Sequence, residues 1–287
     1  MTLECDKVEK NDKIIKALEQ NGAMLKINDQ GDTPLIFAII RGYTNWAKIL
    51  IENGVGINQL DSEDYSPLHW AMARDNFEVF TALVQNNANV NFVWKKVDVS
   101  LLFQAATFKK SRFAEVLIKN GANVDRINSY DRTALHAAAD AGADDVAQML
   151  IKNFANVDAK NDRLQTPMHF AASKGHNSIL NMLLKNGAEV NVEDINKSQP
   201  IHNAANNGHL QAVEMLINDG ANIDAKGEDD FTPLHEAIVN QHLDVVKCLI
   251  NFGANIELKN DEQNTLMEDF IEFNLVDGFK VMVFSQF

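Results

Sequence analysis

The sequence predicts an all-α solenoid, in which helix-turn-helix units stack side by side and β-turn fingers protrude between them. Three observations predict it: a fixed period, a start signal for the first helix of each unit, and a glycine after most second helices. The period is carried by a Thr-like residue that recurs every 33 residues, with a single step of 34. These markers are Thr33, Ser66, Ser100, Thr133, Thr166, Gln199, Thr232 and Thr265. Such a period is typical of stacked repeats, because one unit cannot bury its apolar faces alone.

The unit that begins at Thr232 shows the local signals most clearly. Thr232 is a good N-cap, and Pro233 occupies the first helical position, where a missing N–H costs nothing. A second apolar-faced helix is expected to begin near His242 and to end at Gly253, which suits a left-handed helix terminus. A polar turn then leads into the next unit.

The recurring phrase Thr-Pro-Leu-His-x-Ala, read here at 232–237, resembles the signature of ankyrin repeats. Gly175-His176 and Gly208-His209 before the second helices, and the Gly-Ala-Asn-Val/Ile phrases that close most units, strengthen the resemblance. It covers essentially the whole chain. It implies a non-catalytic protein–protein interaction scaffold that binds a protein partner on its concave face and finger tips, without a cofactor.

The markers divide the chain into one repeat domain, 1–287. Residues 1–27 are predicted to form an N-terminal cap, and residues 260–287 a C-terminal cap or a truncated repeat. The repeats between them are expected at 28–60, 61–93, 94–127, 128–160, 161–193, 194–226 and 227–259. The repeat at 94–127 is the least regular, since it follows the 34-residue step and lacks the usual Pro and His.

Eight histidines in an acidic chain suggest a metal or catalytic site, but their positions are periodic. Five occupy the fourth place of the phrase, and three begin a second helix. Catalytic groups stand among unlike partners, whereas periodic polar groups usually satisfy hydrogen bonds. The resemblance implies that the first set braces the backbone and the Thr hydroxyl. No phosphate-binding, nucleophile-elbow, zinc or calcium spacing is present, so we expect no enzyme activity, cofactor or metal.

The charge and the cysteine content of the chain indicate which classes of partner and which cellular compartment to expect. The net charge is −14, and residues 193–287 alone hold 17 acidic residues against 5 lysines. An acidic chain is a poor ligand for nucleic acid or an anionic membrane. Cys5 and Cys248 lie too many repeats apart to pair, and no signal peptide or membrane-spanning run is evident. We therefore expect a cytoplasmic monomer in a reducing environment.

The candidate binding residues are those that vary between copies at open positions of the phrase. Phe37, Tyr65 and Trp70, with Trp94 and Tyr130, are predicted to form an aromatic patch over the first four units, near Lys95, Lys96 and Arg132. Aromatic residues and Arg dominate the energetics of interfaces. The remaining candidates at these positions are Gln104, Phe170, Phe231 and Glu236.

Two alternatives stay open. The acidic final third could instead dock a basic peptide or tail; the acidic residues concerned are Glu228, Asp229, Asp230, Glu236, Asp261, Glu262 and Asp269. The apolar end at Phe287 also allows the chain to be the targeting arm of a larger enzyme or channel.

At one departure from the repeat pattern the sequence predicts a conformational cost to stability. Asn87 and Phe154 stand where other units carry the glycine that ends the second helix. Asparagine tolerates the left-handed conformation, whereas phenylalanine there should cost about 1–2 kcal/mol.

Overall fold

A computed structural model describes residues 32–94 and 98–261 of the chain. The predicted N-terminal cap, Lys95, Lys96 and residues 262–287 lie outside the described residues, as do Cys5, Glu262 and Asp269. The helices that it does describe come in pairs, as the period predicts. They are α1 (Pro34–Ile40), α2 (Thr44–Glu52), α3 (Pro67–Ala73), α4 (Phe77–Gln85), α5 (Leu101–Thr107), α6 (Ser111–Lys119), α7 (Ala134–Ala141), α8 (Asp144–Lys152), α9 (Pro167–Lys174), α10 (Asn177–Lys185), α11 (Pro200–Asn206), α12 (Leu210–Asn218), α13 (Pro233–Val239) and α14 (Leu243–Asn251).

The described residues group into two compact structural units, each of which contains several of the repeats. The first contains 32–94, 98–102 and 112–123, and the second contains 103–111 and 124–261. The division passes through the 94–127 repeat, which the sequence singles out as the least regular. The predicted repeat boundaries themselves stay a prediction.

The first helix of each pair starts at the marker. In α1 the Thr33 hydroxyl accepts a hydrogen bond from the Ile36 N–H at 3.2 Å, and in α3 the Ser66 hydroxyl accepts one from His69 at 3.1 Å. These bonds satisfy one of the N–H groups that a helix leaves unpaired at its start. The core runs between the paired helices, where residues such as Leu50, Leu83 and Leu135 are fully buried.

Most histidines of the phrase join one repeat to the next. In the second unit the Thr133 N–H donates to Nδ1 of His136 at 3.1 Å, so the neutral ring carries its proton on Nε2. That Nε2 group lies 3.0 Å from the Gln165 carbonyl, 29 residues further on. His169 and Ser198 repeat the bridge at 3.1 Å. The expected structural role is confirmed for these histidines.

A second set of bonds joins the loops that follow the second helices. In each case a side-chain oxygen of Asn or Asp accepts the backbone N–H of a residue 31 or 32 positions later, at 2.8–3.0 Å. The acceptors are Asn58, Asn91, Asp125, Asp158, Asn191 and Asp224. Successive repeats are thereby held in register by directional bonds as well as by apolar contact.

The 34-residue step produces the one sheet among the described residues. Strands β1 (Val93–Trp94) and β2 (Val99–Ser100) pair antiparallel, with Trp94 opposite Val99. The two strands flank the stretch that is one residue longer, and the helices on either side keep their pattern.

The helix-ending position adopts the left-handed conformation whether or not it holds glycine. Gly121 and Gly187 have φ of 83° and 79°, and Phe154, at the same place, has φ of 64°. The Phe154 side chain is 92% exposed. The predicted strain is therefore present, and burial of the ring offsets little of it.

We predict that Phe154→Gly raises the free energy of unfolding by about 1–2 kcal/mol, because glycine has no Cβ penalty at positive φ. Urea-induced unfolding followed by circular dichroism measures the change. Phe252→Gly is the matched control, since Phe252 is a partly exposed phenylalanine one residue before Gly253 but has φ of −82°. There glycine should lower stability by about 0.5–1 kcal/mol. Equal effects at the two positions would show that backbone strain is not the cause.

We predict that stability falls as the pH drops from about 6.5 to about 4. Burial lowers the pKa of His69, His136 and His235 to about 4, so the unfolded chain takes up protons first. The stabilisation is complete above the unfolded pKa of about 6.5 and is lost in this window, by about 3 kcal/mol for each such histidine.

Unfolding midpoints in urea at pH 7.5, 6 and 5 measure this dependence. In His136→Gln the midpoint should be lower at pH 7.5 but should change less on acidification. A midpoint that is independent of pH over this range would contradict the prediction.

Candidate functional site

Three of the predicted binding residues come together in the first unit. Tyr65 lies just before the N-cap of α3, Trp70 lies on α3, and Trp94 ends β1. The Tyr65 ring centroid is 5.4 Å from that of Trp70 and 4.6 Å from that of Trp94. His69 completes the group, with its ring 4.6 Å from Tyr65. We call Tyr65, His69, Trp70 and Trp94 the aromatic cluster.

The buried carboxylate of Asp61 holds the aromatic cluster in place. One of its oxygens accepts the backbone N–H groups of Glu63 and Tyr65, each at 2.9 Å. The other accepts the indole N–H of Trp70 at 2.8 Å. The indole N–H of Trp94 donates to the Glu63 carbonyl at 3.1 Å. Both indole donors are thus used within the protein, and what Trp70 and Trp94 leave accessible is ring surface.

The rings of the cluster are neither core nor fully exposed. Tyr65, Trp70 and Trp94 are all half-buried. Partly covered, internally tethered aromatic side chains lose little conformational freedom when a partner covers the remainder. These properties suit an interface anchor.

Phe37 occupies the same place on α1 as Trp70 does on α3. Its ring lies 6.5 Å from Tyr43 in an edge-to-face arrangement, and the Arg41 guanidinium lies 5.4 Å from its centroid. These contacts, and not a ring of the aromatic cluster, surround Phe37. Its helix nevertheless packs directly beside α3.

Arg132 and Phe170 meet in the second unit. The Arg132 guanidinium lies 4.4 Å from the Phe170 centroid and 6.0 Å from that of Phe103. It also forms an ion pair with Asp140 at 2.8 Å. With 23% of its side chain exposed, Arg132 is largely engaged inside the protein.

Tyr130 and Gln104 are placed differently. Tyr130 is on a finger and is 61% exposed, and its carbonyl accepts the Asp162 N–H of the next finger at 3.2 Å. Gln104 is half-buried on α5. Trp94 belongs to the first unit, whereas Tyr130 and Arg132 belong to the second. A single patch that joins all of them stays a prediction.

Phe231 and Glu236 lie near the acidic finger of the last described repeat. Phe231 stacks on His235, with centroids 5.5 Å apart. Glu236 accepts a hydrogen bond from the Asn206 amide at 2.7 Å. Burial raises the pKa of the Glu236 carboxyl, and the like charges of Glu228 and Asp229 raise it further. A cation brought to this place would relieve the repulsion.

The sequence did not reveal the residues that position these side chains. Asp61 lies in a polar turn, and nothing in the local sequence links it to an indole nine residues later. Phe103 and Asp140 were likewise not predicted as partners of Arg132. The one usable signal was that Asp or Asn recurs five residues before several markers, at Asp61, Asn128, Asn161 and Asp194.

No arrangement suited to catalysis is apparent in the part of the chain that the structure describes. Within 32–94 and 98–261, no three His, Cys, Asp or Glu side chains gather as metal ligands would. A groove of about 270 Å³ in the second unit is lined by Lys109, Asp144 and Asp145 and opens beside Ala143. Later repeats carry a histidine at the Ala143 position, so a missing side chain explains the groove. Burial raises the pKa of the Cys248 thiol to about 11, which leaves little reactive thiolate.

The periodic helix pairs, the capped markers and the histidine bridges agree with one known architecture. A family model for three ankyrin repeats matches residues 5–93, 102–194 and 168–260. The chain belongs to the ankyrin-repeat family. Members of this family are generally non-catalytic protein-interaction modules.

Individual relatives match shorter stretches of this ankyrin-repeat chain. An ankyrin repeat protein of fowlpox virus is 31% identical over 109 residues, 38% of this chain and 16% of its own length. The transient receptor potential channel pyrexia of Drosophila melanogaster is 31% identical over 116 residues, 40% and 12% respectively. Human transient receptor potential cation channel subfamily A member 1 is 27% identical over 119 residues, 41% and 10%. The matched stretch is thus a small part of each of these relatives.

The helices described here are all too short, or too polar, to cross a bilayer.

We predict that Asp61→Asn loosens the aromatic cluster while it leaves the finger intact. An asparagine oxygen can accept the Glu63 and Tyr65 N–H groups, as Asn128 does for its own finger. Its NH₂ group would face the Trp70 indole donor, so stability should fall by about 1–2 kcal/mol. Tryptophan fluorescence should also shift to longer wavelength.

The converse change Asn128→Asp is the control, because Asp serves the same finger role at position 61. It should alter stability by less than about 1 kcal/mol and leave the fluorescence unchanged. A similar loss in both variants would mean that the indole bond to Asp61 contributes nothing specific.

Proposed function

We propose that this chain is a non-catalytic protein-interaction scaffold, and that it binds its partner on the face formed by the first helices and the fingers. The aromatic cluster is the anchor, and the observation that carries the proposal is that Trp70 and Trp94 are half-buried yet internally tethered. Covering the rest of two indoles and a phenol buries apolar area at a low cost in side-chain entropy.

The family supports the general role, and the aromatic cluster supports the location. Residues at the bracing positions of a repeat are used for hydrogen bonds between repeats, so they are poor candidates for recognition. Tyr65 and Trp70 lie beside such positions and differ from their equivalents in the other copies. A site formed by residues that vary between copies can distinguish one partner from another.

We infer the wider setting from the same evidence. The acidic charge supports a protein partner and no nucleic acid or membrane. The two cysteines, which lie too many repeats apart in the sequence to pair, support a reducing, cytoplasmic environment, and we propose that the chain acts as a monomer. Two of the relatives named above are channels of which the matched stretch is a small part, which supports the idea that such repeats can serve as the targeting arm of a larger protein.

A second candidate site is the acidic surface of Glu228, Asp229 and Glu236. Burial is the main cause of the raised pKa of Glu236, and the neighbouring charges of Glu228 and Asp229 raise it further, which supports a local excess of negative charge. That surface would suit a basic peptide or tail.

We predict that Trp70→Ala and Tyr65→Ala each weaken partner binding by about 2 kcal/mol, or about 30-fold. Affinity capture with the immobilised chain, followed by mass spectrometry, identifies the partner, and titration calorimetry measures the affinity. Phe252→Ala, which removes an exposed ring outside this face, should leave the affinity unchanged. Circular dichroism confirms that each variant is folded.

Two outcomes would change the surface that we propose as the binding site. If both cluster variants bind the partner as the natural chain does, the aromatic cluster is not the anchor. If Glu236→Gln alone weakens binding, and the effect disappears at high salt, the acidic surface is the site.

A further inference from the structure

We propose that Arg41 and Arg74 form a receptor for carboxylate groups, so that the partner bound on this face is an acidic, extended protein segment. The proposal rests on the proposed function, because it specifies the chemistry of the partner at the same face. It concerns two residues that the sequence did not single out.

Arg41 and Arg74 are equivalent residues of neighbouring repeats. Each immediately follows a first helix, Arg41 after α1 and Arg74 after α3. Each guanidinium lies over the aromatic ring four residues earlier, 5.4 Å from the Phe37 centroid and 5.8 Å from a Trp70 ring centroid. The same arginine–ring contact therefore occurs twice, once in each of these two neighbouring repeats.

Among the described residues, the two guanidinium groups have no counter-ion. Both side chains are exposed, and among the described residues neither forms an ion pair. Other cations do form one: Arg132 pairs with Asp140, and Lys48 with Glu78, at 2.8 and 2.7 Å. In a chain of net charge −14, two arginines at equivalent positions of neighbouring repeats, neither with an ion pair in the part of the chain that the structure describes, form a local positive site.

The ring contact orients each guanidinium for recognition. Each guanidinium lies within cation–π range of its ring, which restrains the group, while the arginine side chain as a whole stays exposed. The N–H edge of a guanidinium matches a carboxylate, which can accept two parallel hydrogen bonds from it. Arginine held on a ring loses less freedom on binding than a free side chain does.

The spacing indicates an extended partner. Helices α1 and α3 pack side by side, and the Asn76 amide donates to the Thr44 hydroxyl at 2.9 Å just beyond them. Packed helices lie about 8–10 Å apart. Residues three apart in an extended chain are separated by about 10 Å. Two acidic residues at that spacing would reach both arginines, and an apolar neighbour could contact Trp70.

Later repeats do not have this arginine–ring contact at the equivalent position. Asn207 and Asn240 occupy the equivalent positions, and each side chain donates to a carbonyl of its own first helix, at 2.8 and 2.9 Å. Phe108, Ala141 and Lys174 occupy this position in the repeats between. Lys174 keeps a positive charge but makes no ring contact among the described residues, so the arginine–ring contact at this position is confined to the first two described repeats. A purely local role, in which each arginine stabilises a helix end, would change stability but not the choice of ligand.

The test uses a displayed library of random linear peptides as the probe, selected on the immobilised full chain. We expect the selected peptides to be enriched in pairs of Asp or Glu about three residues apart, together with an apolar residue. For one such synthetic peptide, Arg41→Gln and Arg74→Gln should each weaken binding about tenfold in fluorescence anisotropy. Lys152→Gln removes one exposed positive charge from a second helix and should change the affinity by less than about twofold.

The outcomes separate this proposal from the proposed function. Peptides without acidic enrichment, bound equally well by the arginine variants but weakened by Trp70→Ala, would overturn the carboxylate receptor and leave the aromatic anchor intact. Acidic peptides that depend on both arginines but not on Trp70 or Tyr65 would support the receptor and remove the anchor. Equal weakening by Lys152→Gln would reveal only long-range attraction and would also overturn the receptor.

Discussion

The hydrogen bonds that join each repeat to the next are the constraint on which the rest of this structure depends. A pair of helices this short cannot bury its apolar faces alone, and neither can it satisfy its own loop backbone. Asn58 accepts the N–H of Asn89, and Asp125 accepts that of Asn156. His136 reaches the Gln165 carbonyl of the following finger. These bonds fix the register of the stack, and the 33-residue period follows from that fixed register.

The same constraint limits which positions can differ between repeats, and therefore where the proposed recognition can occur. A bracing residue cannot be replaced without loss of a hydrogen bond between repeats. Sequence differences between repeats are therefore limited to the positions beside the bracing residues. Tyr65 and Trp70 are such residues, and Arg41 and Arg74 follow the first helices on the same face. The scaffold also positions these residues. One Asp61 oxygen accepts hydrogen bonds from the finger backbone, and the other accepts one from the Trp70 indole. A residue that belongs to the scaffold thus positions a residue proposed to bind.

Departures from the pattern have different physical meanings. Phe154 keeps the left-handed conformation of the glycines it replaces and leaves its ring in solvent, so it carries strain without a visible gain in packing. Near the extra residue before Ser100, the chain pairs Val93–Trp94 with Val99–Ser100, and Trp94 lies against Tyr65. Ala143 leaves a groove where later repeats have histidine. Only the second of these contributes to the aromatic cluster.

The sequence by itself determined the repeat, the helix starts at Thr33 and Ser66, the bracing role of His136 and His169, and the backbone conformation at Phe154. Each of these depends on residues within about one repeat of each other, and the repetition makes the pattern visible. Only the tertiary structure decided that Trp70 is tied to Asp61 and that Arg132 is enclosed by Phe103, Phe170 and Asp140. It also decided that Arg41 and Arg74 have no counter-ion within residues 32–94 and 98–261. Those facts depend on which side chains meet across repeats and on which charges are left unpaired. A linear pattern does not specify them, because rotamers and neighbouring charges are selected only when the repeats pack together.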